Sequence, residues 1–325
     1  MILYHQRNLF LGPLLFIIFI NDMCFLKTES KLTLFADDTT ISTFGSKPGD
    51  LVKRVEKDLT LICEWLRHNR LVINVAKTKA MFLSHLLRKS EEKKALINSL
   101  KINCDNVDIE FITETKVLGV IIDNELKYEA QIENICKKVN LKTFLLRKCH
   151  YLFTESFKPI LFKIFIQPHF DYCSTLLLHS SKRNIKRDRL NTCFIKSAKR
   201  LLKCKKLNVN LTLDEQLNIL AKFNIFPLFY RQFYMYCTFL FNIMKNKNTI
   251  LCNLFVVNSS RTRSSYIIPK YCTDFKKYSF SVISTHLLNV FINTFLEDNC
   301  TINNFKSFLK ASVASEYRKS VRFWT

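Results

Sequence analysis

Two adjacent carboxylates, Asp37 and Asp38, sit between two short apolar and β-branched runs, Leu32-Thr33-Leu34-Phe35 and Thr39-Thr40-Ile41. That arrangement predicts a β-hairpin over residues 31–44 with the acids at its tight turn. Successive side chains on an extended strand point to opposite faces, so only a turn brings both sets of oxygens toward one metal cluster. Paired acids on a hairpin tip suit two-metal phosphoryl transfer, in which two Mg²⁺ ions roughly 4 Å apart stabilise the attacking and leaving oxygens of an in-line displacement. A bare Asp-Asp pair is more commonly a solvated turn. The rest of the chain has to decide.

A length of 325 residues with 48% hydrophobic content permits two or three domains with real cores. Net charge is +23, from 50 Lys+Arg against 27 Asp+Glu. It is unevenly placed: residues 134–211 hold 18 basic side chains and three acids (Glu155, Asp171, Asp188), a local +15. So large a single-sign field opposes a compact fold unless a polyanion shares it. Nucleic acid is the first candidate partner and an anionic membrane surface the second. The 12 cysteines show no Cys-x-x-Cys and no Cys/His spacing suited to zinc. They read as small buried apolar residues of a reducing compartment, which places the chain inside the cell, in cytoplasm or nucleus.

Asn8 to Ile20 is an uncharged run, too short to span a bilayer and followed by no small-residue cleavage site. It reads as a buried helix over about 13–24 that starts near Pro13, and no stable membrane association is expected. Beyond the hairpin, Asp50 is placed as the N-cap of a one-faced helix (Leu51, Val55, Leu59, Ile62, Trp65) that Asn69 closes. Leu71–Asn74 and Ala80–Leu83 read as extended, residues 88–108 as a surface insertion, and Val117–Asp123 as one strand in which Gly119 marks a bulge or a close approach. Amphipathic helices follow over about 129–149, 155–167 and 183–204. The last sets Leu190, Cys193, Phe194, Ala198 and Leu201 on one face and Lys186, Arg187, Arg189, Lys196, Lys199, Arg200 and Lys203 on the others. Seven cations with only Asp188 among them favour phosphate contact over a merely solvated face. In the helical segment 213–246 the aromatic stripe reads as core rather than as a base-stacking platform.

The order of these pieces is specific. Leu11-Gly12-Pro13-Leu14-Leu15-Phe16, Ile20-Asn21-Asp22, then Phe35-Ala36-Asp37-Asp38-Thr39 resembles the reverse transcriptases of non-LTR (LINE-type) retrotransposons, particularly the jockey-like group. Trp65-Leu66, Asn69, Leu71, Asn74 and Lys77-Thr78 look like the fourth palm motif of that family. Leu118-Gly119-Val120-Ile121-Ile122-Asp123 looks like its primer-holding strand, with Leu118 and Gly119 as the primer-grip-like residues. Pro168-His169-Phe170-Asp171-Tyr172-Cys173-Ser174 is similar to a phrase of its helical thumb, and Pro227-Leu228 with Arg231 and Thr262-Arg263-Ser264 to downstream portions.

The resemblance implies an α+β fold: a partial right-hand polymerase palm, a ferredoxin-like remnant, over 1–128, a helical basic thumb over 129–210, and a helical or mixed region over 211–325. It implies an RNA-directed DNA polymerase working on RNA and DNA template-primer with dNTPs. Asp37 and Asp38 would hold Mg²⁺, and Lys77 would protonate the leaving pyrophosphate. The family carries a further metal-binding aspartate on a strand upstream of the Leu-Gly-Pro element, and its Gln-Gly-Ser falls here on Arg7-Asn8-Leu9. The expectation is therefore an N-terminally truncated relative without that strand, inactive by itself. A different nucleotidyl transferase and a non-catalytic nucleic-acid-binding remnant are the alternatives.

Overall fold

The computed structural model describes residues 2–83, 97, 99–104, 107–178, 185–246, 250–258, 265–270, 279–297 and 300–321. The chain is mixed α+β, and two compact units divide it, residues 1–115 and 116–325.

In the first unit, helix α1 (Ile2–Ile20) takes up the uncharged segment. It does not start near Pro13. That proline lies inside the helix, where its ring removes one backbone donor. Nor is its described part, residues 11–20, buried as a whole: Leu14 is 54% and Ile18 61% exposed, and Ile20 is the buried residue of that stretch. Apolar composition reports what a segment is able to bury, not whether a neighbour covers it. Strands β1 (Lys31–Phe35) and β2 (Asp38–Ser42) form the expected hairpin, with Leu32 opposite Ile41 and Phe35 opposite Asp38. The alternation works as read: Leu32, Leu34 and Ile41 pack against Ile20, Met23 and Ile62.

Helix α2 (Pro48–His68) ends at Asn69 as expected, but its N-cap is Lys47. Asp50 lies in the first turn, where a negative charge still faces unpaired N–H groups, and Pro48 at the first helical position brings a preset φ. Two stripes of α2 are covered. Ile62, Trp65 and Leu66 join the cluster under the hairpin. Val52, Val55, Leu59 and Cys63 cover a three-stranded sheet. In that sheet β3 (Lys79–Ala80) runs parallel to β5 (Val107–Phe111), and β4 (Ile102–Cys104) pairs antiparallel with β5. Two expectations change here. Leu71–Asn74 forms no strand. Of the supposed insertion 88–108, the stretch 102–104 is a sheet strand with Ile102 and Cys104 buried, while residues 88–96, 98, 105 and 106 lie outside the described residues.

The second unit begins within β6 (Glu114–Val117), which pairs with β7 (Val120–Asp123). The single bulged strand expected over 117–123 is thus the end of one strand, a turn and a second strand. Leu118 and Gly119 both have positive φ, +46° and +86°, which is the requirement of a two-residue type I′ turn. After β7 the Asp123 carboxylate accepts from the backbone N–H groups of Glu125, Lys127 and Tyr128 and folds the chain sharply into helix α3 (Glu129–Lys148). A helical path follows: α4 (Lys158–Leu161), a π-turn at Phe162–Ile166, α5 (Gln167–Asp171) and α6 (Ser174–Leu178). It leads to α7 (Ile185–Leu201). Val139, Phe162, Phe170, Phe194 and Ala198 centre the core between them. A second core lies around α9 (Leu228–Lys245), preceded by the short α8 (Leu213–Leu220). Tyr230, Phe233, Tyr236 and Phe241 are buried there against the C-terminal helix Ile302–Val321 through Phe305, Leu309 and Val313, so the aromatic stripe is core. Among the described residues no helix is long and apolar enough to cross a membrane.

Candidate nucleic-acid interface

The hairpin tip is built as the flanking residues demand. Phe35 and Asp38 close a two-residue loop made of Ala36 and Asp37. Ala36 takes φ +51°, a left-handed conformation that costs a non-glycine residue about 1–2 kcal/mol. Both aspartates are exposed. What holds the hairpin in place is a residue the sequence reading passed over. Asp58 of α2 is fully buried, and its two oxygens accept from the backbone N–H groups of Glu29 (2.8 Å) and Ser30 (2.9 Å), just ahead of β1. Its signal was present: an acid three residues after Val55 on the apolar stripe of α2.

Lys77 lies in a turn, exposed, with its backbone N–H donated to Asn74. No ion pair joins it to Asp37 or Asp38 among the described residues. A third acid is needed to bridge two dications, and no group of three potential metal ligands converges among the described residues. Asp58 is committed to backbone N–H groups, and so is Asp123 in the other unit. Among the described residues the donor set of this hairpin is therefore a carboxylate pair without a third acid.

In the second unit the structure joins motifs that are far apart in the chain. Asp171 and Arg231 form a two-pronged pair, Nε to Oδ1 and Nη2 to Oδ2, both at 2.7 Å. The amide of Gln167 lies against the same guanidinium, its oxygen the natural acceptor. Tyr172 donates its hydroxyl to the Leu118 carbonyl, and a Cβ added at Gly119 would lie 3.6 Å from the Tyr172 ring. The Leu118-Gly119 turn, the Pro168–Ser174 phrase and Arg231 thus form one connected structure. Here they brace the fold.

Helix α7 carries six of the seven cations; it ends at Leu201, earlier than expected, and Lys203 lies beyond it in a turn with φ +52°. Leu190, Cys193, Phe194, Ala198 and Leu201 are buried, while Arg189, Lys196, Lys199, Arg200 and Lys203 are exposed. Lys186 and Arg187 lie on the same helix, with their side chains outside the described residues. Arg189 approaches Glu133 at 3.9 Å and Lys203 pairs with Glu155 at 2.9 Å. Lys196, Lys199 and Arg200 have no carboxylate partner among the described residues. Three neighbouring exposed cations without counter-charge are free to release condensed counterions from a polyanion. Compared with protein-family models, with curated proteins and with solved structures, the chain matches none.

Proposed function

We propose that this chain is a nucleic-acid-binding portion of a non-LTR retrotransposon reverse transcriptase, one that grips RNA or DNA through phosphates and incorporates no nucleotide by itself. The observation that carries the reading is the Asp37–Asp38 tip on a two-residue hairpin packed against α2, in the helix–hairpin–helix order of the resemblance. Asp37 and Asp38 are the metal-facing pair in this reading, Lys77 the proton donor to pyrophosphate, and Leu118-Gly119 the turn toward a primer end. The expected lack of incorporation rests on the resemblance, whose further metal-binding aspartate is needed beside Asp37 and Asp38 to bridge two dications. Binding does not need that acid.

A purified chain mixed with homopolymer template, primer, Mg²⁺ and dNTP tests the reading. The expected result is binding to template-primer that weakens steeply with salt, with little sequence preference and no extension above an Asp37→Ala/Asp38→Ala control. Extension that disappears in the control overturns the inactivity. Absence of binding at low salt overturns the whole proposal. A second reading, a nucleic-acid binder with no polymerase descent, is favoured by the uncompensated Lys196, Lys199 and Arg200. It predicts the same binding with no preference for recessed primer ends over plain duplex.

A further inference from the structure

Contacts between α3 and α7 rise together along both helices: Glu133 meets Arg189, Asn140 meets Cys193, and residues 144–148 share a cavity with residues 200–203. The two helices are therefore parallel, and both C-terminal ends converge. There a cavity of about 360 Å³ opens, lined by Arg147, Lys148, Lys158, His150, Arg200 and Lys203. Five of these are permanent cations. Among the described residues one carboxylate, Glu155, serves them, accepting from Lys158 at 2.6 Å and from Lys203 at 2.9 Å. Those two ammonium groups, both on Oε1, hold the Glu155 carboxyl below its ordinary range, so it stays charged. Lys158 is 2% exposed and meets its counter-charge in Glu155, as a buried ammonium group must.

Cations at helix C-termini have an ordinary use, since each helix end carries roughly half a negative charge. Two such ends and Glu155 together offset about two of the five positive charges. The remainder is uncompensated within the cavity. Two guanidinium groups, Arg147 and Arg200, match the oxygens of a phosphate as forks, and the lysines add point charge. The size falls at the lower end of the range for small-ligand pockets, roughly 300–1,000 Å³, ample for one or two phosphate groups and too large for a single carboxylate to fill.

We propose that this cavity is a phosphate-binding site, occupied either by a backbone phosphate of bound nucleic acid or by a free polyphosphate. For the first source it rests on the nucleic-acid reading above; for the second it stands without it. The test uses the full chain, with inorganic pyrophosphate and a short oligodeoxythymidylate as separate probes at low salt. Arg147 and Arg200 are exposed, so Arg147→Ala/Arg200→Ala leaves the fold intact, which circular dichroism checks. The expected result is that this variant weakens one or both probes by about tenfold or more, the loss of charge-assisted hydrogen bonds. If the oligonucleotide is the occupant, the slope of log affinity against log salt also flattens by about 0.7 for each phosphate released. Pyrophosphate binding that the variant loses, with no oligonucleotide bound at all, upholds the cavity and fells the nucleic-acid reading. Oligonucleotide binding that the variant leaves untouched, with no pyrophosphate bound, does the reverse. Binding of neither probe, or citrate held as tightly as pyrophosphate, also overturns the site. Glu155→Gln supplies an independent sign: removing the one anion should tighten binding, whereas a purely structural cluster gains nothing.

Discussion

At the scale of single residues, stability and chemistry are assigned to different aspartates. Asp37 and Asp38 are exposed and touch no described partner, so Asp37→Ala/Asp38→Ala should shift stability by no more than about 0.5 kcal/mol each. Asp58 is the opposite case. Asp58→Ala strands two N–H groups beside the hairpin, each worth about 1–3 kcal/mol when buried without an acceptor. The expected loss is about 2–4 kcal/mol, read from urea unfolding, with the hairpin amides exchanging first. Ala36→Gly should act the other way and stabilise by about 1 kcal/mol, because glycine adopts φ +51° without strain. A lower midpoint in that variant would mean the turn is not the one described. The acids of the hairpin were legible because strand alternation and a tight turn leave a local trace. The place of Asp58 on the apolar stripe of α2 marks it as buried, but its partners lie 28 and 29 positions away, and no local pattern names them.

At the scale of elements, helices with one apolar stripe were readable, and what joins them was not. α2 and α7 have the faces that their 3.6-residue spacing implies. The turn at Leu118-Gly119 was missed because leucine at positive φ is rare, so a β-branched run with one glycine reads as a strand. Burial of α1 is not legible from its composition: Phe16 and Ile20 join the cluster under the hairpin, while Leu11, Leu14, Leu15, Ile17 and Ile18 stay exposed. The resemblance pointed separately to Asp171 and Arg231; only the fold shows that they are one ion pair. A double-mutant cycle with Asp171→Ala and Arg231→Ala tests that joint. The two-pronged geometry at half-buried positions should give a coupling of about 1–3 kcal/mol, and Arg231→Lys should recover less than half of it. A coupling near zero would make the pair an incidental surface contact.

At the scale of the whole molecule, a charge of +23 and a core rich in tyrosine pull stability in opposite directions as pH rises. Approaching the isoelectric point near 9.6 relieves self-repulsion. Above it, burial takes over. Tyr236 is pushed far above the ordinary 10.0 by burial, and Tyr230 by burial and then by its hydrogen bond to Asp214. A group whose folded pKa is raised contributes stability that is present below its unfolded value and is lost as pH rises beyond it. Lys57 and Lys203, raised by hydrogen bonds to Glu29 and Glu155, lose their share in the same alkaline range. The acid limb has the opposite sign: Glu155 and Glu215 are lowered by hydrogen bonds, to Lys158 and Lys203 and to Thr212, so their contribution is lost as pH falls below the ordinary 4.5. The melting temperature should therefore hold or rise toward pH 9 and fall steeply above 10. Tyr236→Phe removes the titrating group from the second core while leaving the ring in place. It should flatten the alkaline limb and leave the acid limb unchanged; an alkaline limb equally steep in that variant would move the cause from the tyrosine core to the surface lysines.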